Sequence, residues 1–359
     1  MREYLLTGLV AAALCYVLTP FIRNMAIRFK AMADVRERDI HNVSTPRWGG
    51  VSMWLAMGLT LLFAQHMRLV GRAYSRELLG IFLAATFVLI LGAIDDKFEL
   101  DAVTKLAGQA LAAGILLLNG VQVLWLPING VVILPANIGQ LLTVIIVVVI
   151  INAVNFIDGL DGLAVGVVAI AASCFFAFSY LLAVLNGFTR AGAPSLMTVI
   201  LVGLCVGFLA HNAYPARMFM GDSGSMFLGL MLAASAITLT GQIDANALSE
   251  ENGRSTLVPL LLPFAVLAIP LLDLMWAVVR RARSGKSPFA PDKLHLHHRL
   301  LDTGNSQTRT AVVLYLWTAT FAVPVTIAAF APLWIAILIG VVLLALSYFS
   351  RKRELTFSE

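Results

Sequence analysis

The chain has 359 residues, of which 60% are hydrophobic and only 13% are charged, and its mean hydropathy is +0.88. Soluble domains carry about 25% charged residues, so this composition excludes a soluble protein and indicates an integral membrane protein. The formal net charge of +5 does not indicate a nucleic-acid-binding protein, because so few charged residues cannot form a continuous basic face.

The hydrophobic residues fall into runs that are long enough to cross a bilayer, which takes about 20 residues. Eleven runs lie near 4–22, 48–65, 77–94, 102–120, 138–156, 162–185, 194–213, 223–241, 256–278, 310–330 and 332–350. The first has no small-residue cleavage site after it, so we expect a retained helix and not a secretory signal peptide. The uncharged segment 121–139 favours an exported hairpin or a re-entrant segment. The prediction is an all-α polytopic membrane protein, one domain over 1–359, with about 11 transmembrane helices.

The basic residues predict the sidedness of these helices. Connections after the odd-numbered runs, together with the C-terminal tail, carry 19 of the 25 lysines and arginines. By the positive-inside rule this face is cytoplasmic, which places the N-terminus outside, the C-terminus inside and the chain in the cell's inner (plasma) membrane. The predicted cytoplasmic loops cover about 23–47, 95–101, 157–161, 214–222 and 279–309. The cysteines Cys15, Cys174 and Cys205 lie in apolar runs and predict packing residues, not a disulfide or zinc site.

Acidic residues gather on this same face. Asp95 and Asp96 end the third run, Asp158 and Asp161 follow the fifth, and Asp222 follows the seventh. Carboxylates near the hydrocarbon boundary are costly unless something compensates their charge. Oxygen ligands suit Mg²⁺, which commonly takes one or two carboxylates plus substrate phosphates, and nearby lysines and arginines suit phosphate groups. The pattern predicts phosphoryl transfer from a nucleotide.

Each motif also has a structural alternative. The Asp pair at 95–96 is typical of a solvated helix terminus or an N-cap. The spacing of Asp158 and Asp161 fits one helical face, although the neighbouring glycines also fit a turn. The GDSG stretch fits a helix start capped by Asp222 or Ser223, with Gly224 close to another backbone, and it fits backbone N–H groups presented to a phosphate.

The last large cytoplasmic loop contains PDKLHLHHRL, with His295, His297, His298 and Arg299. Three histidines in four positions can donate several hydrogen bonds to phosphate groups. Zinc is the main alternative, but this stretch has neither a nearby cysteine nor an HExxH pattern. Asp273 lies inside the ninth run, where either a functional role or pairing with a basic residue is typical.

Taken together, the motifs resemble those of the polyprenyl-phosphate N-acetylhexosamine-1-phosphate transferases. The resemblance covers nearly the whole chain in order and spacing, and it rests on five stretches: STPRWGG, DDKFELDAVTKLAGQ, NAVNFIDGLDGLA, HNAYPARMFMGDSGS and HLHHRLL. The HLHH form followed by Arg299 is similar to the branch that uses UDP-N-acetylglucosamine. The RERDIH and SPFAPDKLHLHHRLL stretches are similar to the actinobacterial enzymes that begin the arabinogalactan linkage unit.

The resemblance implies a Mg²⁺-dependent reaction, with Mn²⁺ as an alternative ion, that opens cell-envelope polysaccharide synthesis. UDP-N-acetylglucosamine and polyprenyl phosphate would give polyprenyl-diphosphoryl-N-acetylglucosamine and UMP. Another UDP-N-acetylhexosamine or a UDP-muramoyl-pentapeptide donor stays open, as do prenyl length and a homodimeric state. No nucleic-acid partner is expected.

Residue roles are also implied by the resemblance. Asp222 and Asp96 would bind the metal, and Asp95, Asp96, Asp158, Asp161 and Lys105 would form the catalytic set. A phosphate monoester has a second pKa near 6, so the lipid phosphate is already nucleophilic and we expect Asp95 to position groups instead of abstracting a proton. The substrate-binding set is His41, Arg47, Asn155, Asn212, Phe219, His295, His297, His298 and Arg299, with the Phe219 ring expected to stack on uracil.

Two other classes fit the sequence less well. The CDP-alcohol phosphotransferases also use spaced Asp and Gly at a membrane face, but here DGLDGLAVGVVA runs directly into an apolar helix. A polytopic transporter would place its charges along a midplane path, whereas these carboxylates, apart from Asp273, lie at helix ends on one side.

Overall fold

The structure, a computed structural model, describes residues 1–32, 44–126, 132–185, 192–241, 262, 264–283, 285 and 296–352. Its first eight helices are α1 (Arg2–Arg28), α2 (Gly49–Ala64), α3 (Arg76–Phe98), α4 (Ala102–Leu118), α5 (Ala136–Ile157), α6 (Leu163–Leu185), α7 (Gly192–Asn212) and α8 (Gly221–Gly241). They are followed by α9 (Ala268–Arg283), α10 (Leu296–Asp302), α11 (Gln307–Ala328) and α12 (Leu333–Lys352).

Two short strands lie between α4 and α5. They are β1 (Trp125–Leu126) and β2 (Val132–Ile133), which pair antiparallel with Trp125 opposite Ile133. They fall in the segment 121–139, so their pairing favours the hairpin over the re-entrant alternative.

Eight of the described helices are long and apolar enough to cross a membrane: α1, α3, α5, α6, α7, α8, α11 and α12. The apolar helices α2 and α4 are shorter, with 16 and 17 residues. The protein is therefore an all-α polytopic membrane protein, as predicted. The total of about 11 spans and the orientation of the termini stay predictions. In the ninth predicted run, near 256–278, residues 256–261 and 263 lie outside the described residues.

Helix α8 occupies the centre of the bundle. Every residue from Ser223 to Leu239 is buried, and the helix packs against α3, α5 and α2. A helix that is apolar on all sides is stable only where other helices or lipid surround it. In contrast, α12 packs mainly on α11 and leaves side chains such as Trp334 and Val341 exposed, as expected for a helix that faces lipid.

Small residues join α1 to α7. A Cβ atom at Gly203 would overlap the backbone oxygen of Gly8, and one at Gly207 would overlap that of Ala12. Two glycines four residues apart let two membrane helices approach at the backbone, so α1 is an integral part of the bundle. Within the described residues the three cysteines are buried and free, which agrees with their predicted role in packing.

Four helix ends meet at one end of the bundle. Helix α3 ends where Glu99 adopts a left-handed backbone conformation with φ of 50°, and α4 begins three residues later, at Ala102. Asp101 caps α4, because its Oδ1 accepts hydrogen bonds from the amides of Val103 (2.9 Å) and Thr104 (3.0 Å). Since α3 and α5 pack against α8 and α4 packs against both, the α3 and α5 C-termini lie beside the α4 and α8 N-termini.

Candidate active site

Four polar side chains from these helix ends form a cluster, which we call the Asp–Lys cluster: Asp95, Lys105, Asn155 and Asp222. The Lys105 ammonium bridges two carboxylates, with Nζ 2.5 Å from Asp95 Oδ2 and 2.9 Å from Asp222 Oδ2. Asn155 Nδ2 donates to Asp222 Oδ1 at 3.0 Å. The Asp222 and Lys105 side chains keep 30% and 29% of their surface exposed, whereas Asp95 keeps only 4%. Asp222 and Lys105 are therefore the two charges of the cluster that a substrate can reach.

Asp96 has a different environment from its neighbour Asp95. Its Oδ1 accepts the Asp222 amide at 2.8 Å, and its Oδ2 accepts the Ser223 amide at 3.2 Å and the Ser223 hydroxyl at 2.8 Å. The first amides of a helix have no intrahelical acceptor, and a carboxylate there also interacts favourably with the helix dipole. Asp96 thus caps α8 from α3, which the sequence predicted neither for Asp96 nor for this pair of helices.

This arrangement decides between the alternatives for the GDSG stretch. The cap of α8 comes from Asp96, so the expectation that Asp222 or Ser223 is the cap is wrong. The Gly224 amide donates to Met220 O at 3.1 Å, and the Asp222 and Ser223 amides donate to Asp96. Since all three amides have acceptors, they are not presented to a phosphate. The Asp pair is also not a solvated terminus, because Asp95 and Asp96 are both buried.

Glycines allow the three segments around this cap to touch. A Cβ atom at Gly92 would lie 2.5 Å from Ser223 Cα, and one at Gly50 would overlap the backbone of Ser223 and Gly224. Gly221 has φ of +69°, a conformation that side chains disfavour, and any side chain there would collide with the Asp96 carboxylate. The predicted close approach of Gly224 is confirmed, since it lies against Gly50.

The described end of the loop between α1 and α2 is tied to the start of α8 by main-chain hydrogen bonds. Phe219 N donates to Pro46 O at 2.9 Å, and the Gly49 and Gly50 amides donate to Phe219 O and Met220 O at 3.1 and 3.2 Å. Trp48 Nε1 donates to Ala93 O at 3.3 Å. The backbone of Phe219 is therefore part of the scaffold, while stacking of its half-buried ring on uracil stays a prediction.

The Asp158 to Gly162 segment forms the turn between α5 and α6, so the two aspartates do not share a helical face. Asp161 Oδ2 accepts the Ala216 amide at 2.9 Å. Asn212 is buried, with Oδ1 accepting the Gly162 amide at 3.1 Å and Nδ2 donating to Met218 O at 3.0 Å. These contacts give Asp161 and Asn212 a structural role in joining the turn to the segment before α8. Their predicted catalytic and substrate-binding roles are not tested by this geometry.

Asp158 lies next to this turn and near the other acids. Desolvation by the surrounding protein raises the pKa of Asp158 well above its ordinary value, and the negative charges of Asp222 and Asp96 raise it further. The positive charge of Arg47 lowers this pKa. Arg47 thus lies near the predicted site, and its role in substrate binding stays a prediction.

The remaining predicted residues are only partly described. His41 and His295 lie outside the described residues, and the backbones of His297 and His298 lie in α10, but their side chains are outside the described part. Arg299 is exposed on α10. The roles of these five residues in phosphate or sugar binding stay predictions.

Two polar residues beside the Asp–Lys cluster, Ser223 and Ser225, were not predicted as site residues. Ser223 donates to Asp96, and Ser225 Oγ accepts from Asn155 Nδ2 at 2.8 Å. Both lie in the GDSGS stretch, and their positions on the side of α8 that faces α3 and α5 are the signal that could have indicated them.

Comparison with known proteins supports one family for this geometry. The Glycosyl transferase family 4 profile matches residues 78–240, which include the whole Asp–Lys cluster. Decaprenyl-phosphate N-acetylglucosaminephosphotransferase of Mycolicibacterium smegmatis is 43% identical over 329 residues, covering 90% of this chain and 81% of the relative. The chain belongs to Glycosyl transferase family 4.

Two more distant relatives show the range of activities named in this family. A probable undecaprenyl-phosphate N-acetylglucosaminyl 1-phosphate transferase of Bacillus subtilis is 29% identical and covers 96% of this chain and 90% of the relative. A phospho-N-acetylmuramoyl-pentapeptide-transferase of Desulforudis audaxviator is 32% identical, covering 86% and 91%. The names of these two relatives share transfer of a phosphorylated sugar and differ in the sugar.

Proposed function

We propose that this protein transfers N-acetylglucosamine 1-phosphate from UDP-N-acetylglucosamine to a polyprenyl phosphate and releases UMP. The Asp–Lys cluster is the observation that carries the proposal, because it places the Asp222 carboxylate and the Lys105 ammonium group within reach of solvent at the helix ends, with the buried Asp95 carboxylate behind them. The 43% identical relative named for this reaction supports the same donor and a decaprenyl phosphate acceptor. The location of the charges at helix ends disfavours a transporter, whose charges would line a midplane path.

The lipid phosphate attacks the sugar-bearing phosphorus of the donor, and UMP leaves. Such phosphoryl transfer depends mainly on alignment and on compensation of charge. Lys105 is partly exposed and can bind a phosphate oxygen when it leaves Asp222. Asp95 is buried and accepts the Leu100 amide at 2.7 Å, so we assign it the task of holding Lys105 in place, consistent with positioning and not proton abstraction.

The charges of the site favour a divalent cation. Asp95 and Asp222 carry two negative charges, Lys105 compensates one of them, and both substrates are anionic. Within the described residues no three His, Cys, Asp or Glu side chains form a metal site by themselves, but Mg²⁺ needs only one or two carboxylates when substrate phosphates complete its shell. We propose that Asp222, the exposed carboxylate of the cluster, holds Mg²⁺ together with substrate phosphates. The ion would neutralise the phosphate oxygens. Asp96 was also predicted as a metal ligand. Its carboxylate already accepts three hydrogen bonds from the start of α8, so we do not include it in the proposed metal site.

The proposed reaction is tested with purified protein in detergent, polyprenyl phosphate and labelled UDP-N-acetylglucosamine. We expect label in the lipid extract and an equal amount of UMP, both dependent on Mg²⁺ and lost with a chelator. A parallel assay offers other UDP-N-acetylhexosamines and the UDP-muramoyl-pentapeptide donor, because the 32% identical relative is named for that sugar. Labelling from the pentapeptide donor alone would contradict the proposed donor, and full activity in the chelator would contradict the metal.

We further propose that the Asp–Lys cluster faces the cytoplasm of the plasma membrane, because 19 of the 25 basic residues lie in the connections and the C-terminal tail on that side. Arg217 is exposed beside the site, whereas Arg68 is exposed at the other end of α2. In intact cells, a membrane-impermeant maleimide should label Arg68→Cys but not Arg217→Cys. The unmodified protein is a suitable control because its described cysteines are buried. The reverse labelling pattern would refute the orientation.

A further inference from the structure

Helix α9 carries two charged residues on its buried side. Asp273 and Arg281 are each 5% exposed and lie on the same stripe as the buried residues Ile269 and Ala277. Charged side chains inside a membrane protein are costly and usually have a specific partner or function. Neither residue belongs to the Asp–Lys cluster, so their burial needs a separate explanation.

The contacts of these two residues connect α9 to α10, which carries the predicted histidines, and to the end of α5, which carries Asn155 of the Asp–Lys cluster. Asp273 Oδ1 accepts the amide of Leu296 at 3.0 Å, and Leu296 is the first residue of α10, whose amide has no acceptor within its own helix. The Arg281 guanidinium lies 5.4 Å from the centroid of the Phe156 ring, and Phe156 follows Asn155 in sequence. One face of α9 thus holds the start of α10 and contacts the end of α5.

We propose that Asp273 is a positioning residue, which sets the place of the backbone that carries His297 and His298 by accepting the Leu296 amide. This inference rests on the proposed transferase function. The task needs a hydrogen-bond acceptor at Oδ1, since the partner is a main-chain amide. A catalytic base or a metal ligand would instead need the carboxylate charge. The two kinds of role therefore respond differently to asparagine, which keeps the acceptor and removes the charge.

The test compares Asp273→Ala with Asp273→Asn in the lipid-labelling assay. We expect Asp273→Ala to lower kcat/KM for UDP-N-acetylglucosamine by about 10- to 100-fold, because small displacements of binding groups have effects of this size. Asp273→Asn should stay within about fivefold of the unmodified protein. Leu272→Ala, at the neighbouring position with a side chain 54% exposed, is the matched control and should retain full activity.

A double substitution tests whether Asp273 acts through the histidines. If it does, adding Asp273→Ala to His297→Ala should lower kcat/KM by less than about threefold, because residues acting through one unit are not additive. Equal losses for the alanine and asparagine variants would overturn the inference in favour of a role for the charge. Full activity of Asp273→Ala, or a loss accompanied by aggregation of the purified protein, would overturn it as well.

Hydrogen exchange separates this inference from the proposed function. The amides of residues 296–302 should exchange faster in Asp273→Ala than in the unmodified protein, and no faster in Asp273→Asn. This readout does not depend on catalysis. A protein without transferase activity would therefore refute the proposed function, whereas unchanged exchange in Asp273→Ala would refute the positioning role.

Discussion

Replacing Asp222 with alanine should lower UMP release by about 100- to 1000-fold while the protein stays folded, a loss in the range seen when one charge-stabilising group is removed from an active site. Asp222 receives hydrogen bonds from both Lys105 and Asn155 and is the more exposed of the two carboxylates in the cluster. The link between α8 and Asp96 uses the main-chain amide of residue 222, which alanine retains. Steady-state UMP release at saturating Mg²⁺ measures the effect.

Asp302→Ala provides the control for Asp222→Ala. Asp302 is an exposed acid at the end of α10, so its loss changes the total charge equally without touching the cluster. We expect at least half of the original rate in this control. Near-original turnover of Asp222→Ala would refute the assignment of Asp222 to the metal and the donor phosphates. A gel-filtration profile shifted toward aggregates would show that the residue is needed for folding instead.

Gly92→Ala is expected to abolish activity and to lower the thermal midpoint of the detergent-solubilised protein. The added Cβ would lie 2.5 Å from both Ser223 N and Ser223 Cα and 2.6 Å from Asp222 O. These are backbone atoms, so α3 and α8 must move apart, which removes the Asp96 cap and displaces Asp222 from Lys105. An activity loss of at least about 100-fold is consistent with misplacement of catalytic groups by about 1 Å. Thermal unfolding and UMP release are measured on the same preparation.

The control for this substitution comes from the neighbouring helix. A Cβ atom at Gly114 of α4 would meet no heavy atom within 4 Å. Alanine is favoured over glycine inside a helix by about 1 kcal/mol, so Gly114→Ala should keep or raise the thermal midpoint and keep the activity. If Gly92→Ala behaved in the same way, the close approach of α3 to α8 would not be needed for the site.

The sequence predicted the helices of this bundle well because each span is a long apolar run that needs no information from elsewhere in the chain. The eight long helices coincide with eight predicted runs to within four residues at each end, except that α1 extends six residues beyond its run. The cluster of acids on one face also followed from sequence, since topology brings the ends of alternate helices together. This reasoning predicted Asp95 and Asp222 as site residues, whereas Lys105 and Asn155 were implied by the resemblance to the transferase family.

The division of labour among the acids could not be predicted from sequence. Asp95 and Asp96 are neighbours in the chain, yet one bridges to Lys105 and the other caps α8, because adjacent residues on a helix point about 100° apart and therefore face different neighbours. Asp161 and Asn212 matched substrate-binding or catalytic positions, and the structure shows them bonded to main-chain groups of nearby turns. The Gly162–Asn212 and Asp161–Ala216 pairs are 50 and 55 residues apart in sequence, so no local pattern indicates them.

Composition and periodicity by themselves determined that this chain is a polytopic membrane protein with its acids at one face, since the hydrophobic effect and the cost of buried charge act on each segment separately. Only the tertiary structure decided that Gly50, Gly92 and Gly221 let three backbones meet, that Asp96 caps a helix from another span, and that Asp273 holds the start of α10. These features depend on distances between segments far apart in the chain. They arise because every buried amide and carboxylate needs a hydrogen-bonding partner where water is absent.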